Sequence, residues 1–178
     1  MNFLVGLARE ICETIGTAKM PPVAEQLGRL AAEAAIIENL LYGMEANGSM
    51  HGDYYVPDRR AVYAAQTMTQ GMYPQFITTM RELAGGALIM LPSSAADYSD
   101  LELSALFSAV QIAADGWTPV ERVKLMKLAW DAIGSEFASS HTQYEMFYAG
   151  AQFVTRGHSC RTYDWAKAKS LVSTISDR

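Results

Sequence analysis

Two segments of this sequence place small and hydroxyl residues where a phosphorylated ligand could bind. The first is RELAGGALIMLPSS, residues 81–94. Gly85 and Gly86 interrupt a helix-compatible run there, and Pro92 and Ser93 follow. Two adjacent glycines cost a helix about 2 kcal/mol relative to alanine, so a plain bundle helix would not contain them without a reason. Their main-chain amides are not covered by side chains, and such amides bind phosphate oxygens well.

The second segment is GSEFASS, residues 134–140, which lies inside an otherwise bulky helical pattern. Its candidate ligand-binding residues are Ser135, Glu136, Phe137, Ala138 and Ser139. Hydroxyl groups there could bind ribose oxygens. The alternative is structural, because glycine, alanine and serine also let two helices approach closely. Sequence spacing does not separate these two interpretations.

Other kinds of chemistry have little support. The histidines are His51, His141 and His158, and only His141 has a carboxylate one turn away, at Glu145. That spacing alone does not build a helical metal site, so we expect hydrogen-bonded histidines and no metal. A Gly-x-Ser-x-Gly elbow and a phosphate loop before Lys-Ser or Lys-Thr are both missing from the sequence. Cys12 and Cys160 lack the spacing of a disulfide framework or zinc site and are predicted to be free thiols.

Composition limits the classes of partner. The 178 residues are 50% hydrophobic and carry a formal net charge of -5, which suits one globular domain over residues 1–178. Lysine and arginine are scattered, so neither nucleic acid nor an anionic membrane is an expected partner. The apolar runs are shorter than the roughly 20 residues that cross a bilayer. The N-terminus does not resemble a signal peptide, and we therefore expect a cytoplasmic protein.

Apolar residues recur at helical spacing along nearly the whole chain, which predicts an all-α protein. The expected helices cover residues 3–15, 23–46, 58–83, 101–113, 118–148 and 163–175. The 118–148 helix has the clearest start, because Thr118-Pro119-Val120-Glu121 combines a capping box with proline at the first helical position. Pro74 predicts a kink or a break in the 58–83 helix. Four long amphipathic helices with mostly short connections predict an antiparallel four-helix bundle with additional short helices.

Several long strings resemble a known family. FLVGLAREICETIG, RELAGGALIMLPSSAADY, ERVKLMKLAWDAIGSEFASSHTQYEMFYAGA and RTYDW are similar, in this order, to the C-terminal helical domain of the 4-hydroxyphenylacetate 3-monooxygenase family. The resemblance implies a fold like that of acyl-CoA dehydrogenases. It also implies a homo-oligomer, a dimer or tetramer, that takes FADH2 from a separate flavin reductase and hydroxylates a phenol ortho to its hydroxyl.

The same resemblance implies roles for both segments. Gly85 and Gly86, with Pro92 and Ser93, would lie where a glycine-rich turn meets the FAD dinucleotide. The stretch from Ser135 to Ser139 would belong to the late helix that touches the cofactor. The family's N-terminal and central β domains have no counterpart here, so the isolated chain is not expected to hydroxylate a phenol and no catalytic residue is assigned.

This chain departs from the family pattern just before His141. Relatives commonly have arginine before the histidine, where this chain has Ser139-Ser140-His141, so an anion contact by that arginine is absent.

Two alternative functions stay open. One alternative function is a stand-alone helical assembly module without flavin or catalytic activity. Another is the related 4-hydroxybutyryl-CoA dehydratase branch, which needs cysteine and histidine ligands for an iron-sulfur cluster. Cys12 and Cys160 do not form that pattern, so this branch is disfavoured.

Overall fold

The computed structural model of the protein describes residues 1–176, and it is almost entirely helical. The helices are α1 Asn2–Ile15, α2 Pro21–Ala46, α3 Arg59–Ala84, α4 Leu101–Val110, α5 Pro119–Ile133, α6 Glu136–Phe147, α7 Gln152–Thr162 and α8 Trp165–Ser176. Short 3-10 turns cover Gly85–Leu88 and Ala95–Ser99. The predicted all-α class and helical bundle are confirmed.

A local signal sets the start of α5 as predicted. Helix α5 begins at the Thr118 capping box, in which the Thr118 amide donates to the Glu121 carboxylate at 2.8 Å and the Glu121 amide donates to Thr118 Oγ1 at 3.2 Å. The Thr118 amide and the Thr118 hydroxyl both donate to the Glu121 carboxylate, and these two hydrogen bonds lower the pKa of Glu121 because they favour its charged form. Helix α2 begins with a proline in its first turn, and α1 begins without a side-chain cap.

Helix α3 is the centre of the bundle and packs against α1, α2, α5, α6 and α7. It runs without interruption through Pro74, so the break allowed for at that position does not occur. Phe76, Ile77 and Met80 are buried directly after the proline. Burial of these large side chains outweighs the loss of one main-chain hydrogen bond, which explains why the helix continues.

The helix predicted over residues 118–148 is wrong as a single element, because α5 ends at Ile133 and α6 begins at Glu136. The expected loop before α3 contains a hairpin in which β1, Ser49–His51, pairs antiparallel with β2, Tyr54–Val56. Helix α7 was not predicted. Its apolar residues are few, and Thr155 is its one buried residue within the described range, so a periodic apolar pattern is missing.

The buried stripe of α2 is shorter than its sequence pattern suggests. Leu27, Leu30 and Ala34 are buried, whereas Leu41 is 50% exposed. The second half of α2 therefore extends beyond the packed core. Among residues 1–176, no helix combines the length and apolar character needed to span a membrane.

Candidate functional site

The paired glycines form the turn that ends α3. Gly85 has φ +54° and ψ −142°, a conformation that glycine adopts readily and other residues rarely do, and its amide donates to the Arg81 carbonyl. The next residue, Gly86, accepts hydrogen bonds at its carbonyl from the amides of Ile89 and Met90, both at 3.1 Å. Both glycines are exposed. The turn thus ends the helix and presents bare main chain to the surface.

The space around Gly86 shows whether close packing within the chain requires a glycine at this position. A methyl group added at Gly86 would meet only Met90 Sδ, at 3.9 Å, and one added at Gly85 would meet nothing within 4 Å. No neighbouring helix of the described residues 1–176 therefore approaches Gly86 closely enough to require glycine. Its φ is also not in the left-handed range. Neither packing within the described residues nor backbone conformation requires glycine at position 86.

The second segment contains the break between α5 and α6. A methyl group at Gly134 would lie 2.6 Å from Cε3 of Trp130, so the indole ring covers this glycine. Ser135 caps α6, because its Oγ accepts from the Ala138 amide at 3.1 Å and donates to the Asp131 carbonyl at 2.9 Å. Part of the small-residue pattern is thus explained by local structure.

The remaining residues of this segment differ in accessibility. Phe137 is 76% exposed, and Ala138 is only 3% exposed. Glu136 and Ser139 are exposed, and Ser135 is half-buried. A ligand at this surface could contact Glu136, Phe137 and Ser139 directly. The Ala138 side chain could not be reached without a rearrangement.

Arg81 joins the two segments. Its main-chain carbonyl accepts from Gly85, and its Nε donates to the carbonyl of Ile133 at 2.7 Å, at the end of α5. The Gly85–Leu88 turn also packs directly on α5. The structure therefore brings the glycine turn close to the start of the α5–α6 break, and it places a guanidinium group between them.

Replacing Arg81 with methionine should lower the free energy of unfolding by about 1–2 kcal/mol, because a charged donor to the Ile133 carbonyl is lost. Urea unfolding followed by circular dichroism would measure the change. Arg156→Met is the matched control, since Arg156 is exposed and donates to the Gln152 side chain one turn away, at 2.8 Å. Equal losses in the two variants would show that the Arg81–Ile133 bond does not stabilise this junction.

Pro92 and Ser93 follow this turn in the chain and lie beside α5. Pro92 is buried and Ser93 is exposed. Together with Lys127 and Trp130 they line a cavity of about 220 Å³. The Lys127 ammonium donates to the Ser93 carbonyl at 3.4 Å. This cavity lies beside α5, the helix that ends at the α5–α6 break.

A separate cavity of about 450 Å³ is lined in part by His141, the one histidine with a carboxylate one helical turn away in the sequence. His141 Nε2 lies 3.4 Å from Glu145 Oε1. The Tyr73 ring meets the imidazole edge-on at 5.5 Å, and the pKa of Tyr73 is raised by burial and then by the charge of Glu145. Sequence reasoning missed Tyr73, because it is 68 positions away on α3 and only the His141–Glu145 spacing was visible.

Metal chemistry gains no support from the side-chain arrangement. Within residues 1–176, no three histidine, cysteine, aspartate or glutamate side chains are placed to hold a metal ion. Cys12 is buried in α1 and Cys160 is exposed on α7, and both are free. Burial is the main reason why the pKa of Cys12 is raised, which keeps its thiol protonated.

Comparison with known proteins gives consistent results. Residues 1–177 match the family described as HpaB: 4-hydroxyphenylacetate 3-hydroxylase C terminal. The chain is 31% identical over 162 residues to the 4-hydroxyphenylacetate 3-monooxygenase oxygenase component of Pseudomonas aeruginosa, covering 90% of this chain and 31% of the relative. It is 32% identical over 154 residues to the protein of the same name from Klebsiella oxytoca, covering 85% and 29%.

The fold also matches a solved structure. The crystal structure of the oxygenase component (HpaB) of 4-hydroxyphenylacetate 3-monooxygenase complexed with FAD superposes with a TM-score of 0.91 at 23% identity, over 98% of this chain and 36% of that one. The chain thus spans about a third of the length of the proteins that it resembles.

Proposed function

Because the chain belongs to the family described as HpaB, 4-hydroxyphenylacetate 3-hydroxylase C terminal, we propose that it is the C-terminal flavin-binding and oligomerisation domain of a two-component aromatic hydroxylase. The complete enzyme would take FADH2 from a separate reductase and hydroxylate a 4-hydroxyphenylacetate-type phenol ortho to its hydroxyl. When bound and reduced, FAD supplies the electrons for dioxygen activation. This chain would bind and orient the cofactor, and alone it would not hydroxylate a phenol.

Of the observations on this protein, the exposed glycine turn supports a flavin-binding role most strongly. Gly85 and Gly86 are exposed, and an added methyl group at Gly86 would meet only Met90 Sδ, at 3.9 Å. Arg81 lies one helical turn before Gly85, and its guanidinium, which donates to the Ile133 carbonyl, contributes positive charge. An exposed turn beside a cation suits the diphosphate of a dinucleotide, since phosphate oxygens accept hydrogen bonds from a guanidinium group.

The start of α6 has groups that suit the remainder of FAD. Ser139 Oγ donates to the Ser135 carbonyl at 3.1 Å, so its lone pairs stay available to accept from a sugar or ribityl hydroxyl. The Glu136 carboxylate can accept in the same way. Phe137 exposes most of its ring, which could pack against a planar aromatic group. These three side chains would hold the polyol and ring portions of the cofactor.

An apolar surface supports the oligomerisation part of the proposal. Helix α4 is rich in leucine and has no buried residue among those described. Leu101 is 90% exposed, and Leu106 and Val110 are also exposed. Apolar patches of this kind commonly form subunit interfaces. We expect sedimentation velocity to show a dimer or tetramer, and a Leu106→Asp variant to shift toward the monomer.

Flavin titration tests the binding role. FAD or FADH2 should bind saturably but weakly, because the chain spans only about a third of the length of the FAD-complexed relative. Gly86→Leu should weaken binding at least about tenfold, which corresponds to about 1.4 kcal/mol. The variant is expected to remain folded, since space is open at this position. Flavin fluorescence and equilibrium dialysis would measure both affinities.

Gly28→Leu provides the matched control. Gly28 is exposed on α2, and an added side chain there would also meet nothing within 4 Å. This variant should bind flavin as the unchanged protein does. Failure of the unchanged protein to bind at millimolar flavin would favour the alternative of a stand-alone assembly module. Equal weakening in both variants would show that the glycine turn is not the specific contact.

A further inference from the structure

Helix α8 has an apolar face that no part of the described chain covers. The helix has no buried residue, and it packs closely on no other helix within residues 1–176. Its start is nevertheless fixed, because the Trp165 indole donates to the Cys160 carbonyl at 2.8 Å. Four exposed apolar side chains recur on one side of α8 at spacings of three, four and seven: Trp165, Leu171, Val172 and Ile175. A helix face of this kind usually lies against another element.

An apolar groove runs beside the second half of α2, next to the start of α1. It consists of the cavity that contains His141, of about 450 Å³, and a neighbouring cavity of about 230 Å³. Met1 and Ile37 line both cavities, so the two are continuous and are called here the α2 groove. Phe3 and Leu41 add apolar walls, and both of these side chains are exposed.

The α2 groove and α8 have matching lengths. Ala34 is the last buried residue of α2, and residues 35–46 extend from there to the end of the helix. Helix α8 has 12 residues, the same number. At the usual helical rise, both segments are about 18 Å long. One α8 helix would therefore cover the part of α2 that extends beyond the packed core.

The charges of the two surfaces are complementary. Lys167 and Lys169 flank the apolar face of α8, and α8 contains no carboxylate side chain. Glu38 and Glu145 line the α2 groove, whereas no lysine or arginine side chain does. Glu38 is exposed and forms no ion pair within residues 1–176. Its carboxylate is therefore available to a lysine of another molecule.

We propose that α8 of one copy of this chain packs into the α2 groove of a second copy. The apolar side chains of α8 would lie against Ile37 and Leu41, and its lysines would lie at the rim near Glu38. An apolar centre with a polar rim is the usual composition of a subunit interface. In a twofold dimer the contact would occur twice, because each copy provides one α8 and one groove. This inference rests on the proposed oligomerisation role and names a second contact beside α4.

Sedimentation velocity of the full chain tests both halves of the contact. Leu41→Asp, in the groove, and Ile175→Asp, on α8, should each weaken self-association at least about tenfold, because each places a carboxylate in an apolar contact. Phe153→Asp is the matched control, since Phe153 is an exposed apolar residue of α7 that lines neither cavity. It should leave association within about twofold. Circular dichroism would confirm that all three variants are folded.

A mixture of the two variants tests the pairing itself. The Leu41→Asp protein retains an unaltered α8, and the Ile175→Asp protein retains an unaltered groove, so a mixed dimer would contain one complete contact. An equimolar mixture should therefore associate several-fold more tightly than either variant alone. No gain on mixing would overturn the inference, because the two substitutions would then act on unrelated surfaces.

Charge reversal tests the rim of the contact. Glu38→Lys should weaken association about threefold, and the effect should shrink at high salt because exposed charges are screened. Glu25→Lys makes the same change in net charge at an exposed position in the first part of α2, and it should have no such effect. Equal weakening in both variants would show that net charge, and not the Glu38 contact, is responsible.

Failure of this inference is distinguishable from failure of the proposed function. An oligomer that resists Leu41→Asp and Ile175→Asp but dissociates in the Leu106→Asp variant would overturn the α8 contact and leave the oligomerisation role at α4. A protein that sediments as a monomer at every concentration would contradict the oligomerisation role itself, and the α8 contact with it.

Discussion

Replacing Phe76 with alanine is expected to lower the free energy of unfolding by about 3–5 kcal/mol, the usual cost of removing a buried aromatic side chain. Phe76 lies on α3 and is 0% exposed, within the cluster that includes Ile11, Leu30 and Met126. Because α3 packs against most other helices, a cavity there would loosen the bundle on several sides. Urea unfolding followed by far-ultraviolet circular dichroism would measure the loss.

Phe153→Ala is the control for this experiment. Phe153 is 78% exposed on α7, so its removal should change the free energy of unfolding by less than about 0.5 kcal/mol. A loss at position 76 as small as that at position 153 would mean that Phe76 is not in a tightly packed core. The midpoint should shift with little change in the denaturant slope, since the buried surface is otherwise retained.

The second large effect is expected at Gln70, which is fully buried on α3. Its Nε2 donates to the Gly150 carbonyl at 2.6 Å, and its Oε1 accepts from Thr155 Oγ1 at 2.8 Å. Gln70→Leu would leave the carbonyl without this donor and the hydroxyl without its closest acceptor. We expect a loss of about 2–4 kcal/mol, because buried polar groups would remain unsatisfied.

A double-variant cycle with Thr155→Val tests the origin of this loss. If the two side chains stabilise the protein through their shared hydrogen bond, the double variant will lose less than the sum of the single variants. Hydrogen exchange should also accelerate in α7, which this bond holds against α3. Gln143→Leu, at an exposed position of α6, serves as the control and should be nearly neutral. Strict additivity would show that Gln70 and Thr155 act independently.

Sequence reasoning succeeded where hydrogen bonding and burial follow a regular local pattern. The Thr118–Glu121 capping box spans only four residues, and the start of α5 was therefore predictable. It failed between α5 and α6, because Ile133, Phe137, Tyr144 and Tyr148 maintain helical spacing across the break. The Trp130 ring over Gly134 and the Ser135 cap end one helix and start the next without disturbing that spacing.

The candidate site was only partly predictable for a related reason. The glycine pair predicts a helix end and a main chain not covered by side chains. Whether the two glycines are exposed depends on which helix packs nearby. Arg81 and Ile133 are 52 positions apart, and their hydrogen bond at 2.7 Å has no signature in either segment. Lys127 likewise reaches Ser93 from a different helix. Which of these distant residues come into contact depends on how the helices pack.

The sequence by itself determined the helical class, the capped start of α5 and the family to which the chain is similar. Caps and apolar periodicity act within a few residues, so they are present in the sequence whatever the final packing. Only the tertiary structure decided that α3 is central, that Leu41 and Phe137 are exposed while Gln70 is buried, and that the glycine turn meets the end of α5. Burial and long-range hydrogen bonds are relations between distant segments, and they exist only once the helices have packed.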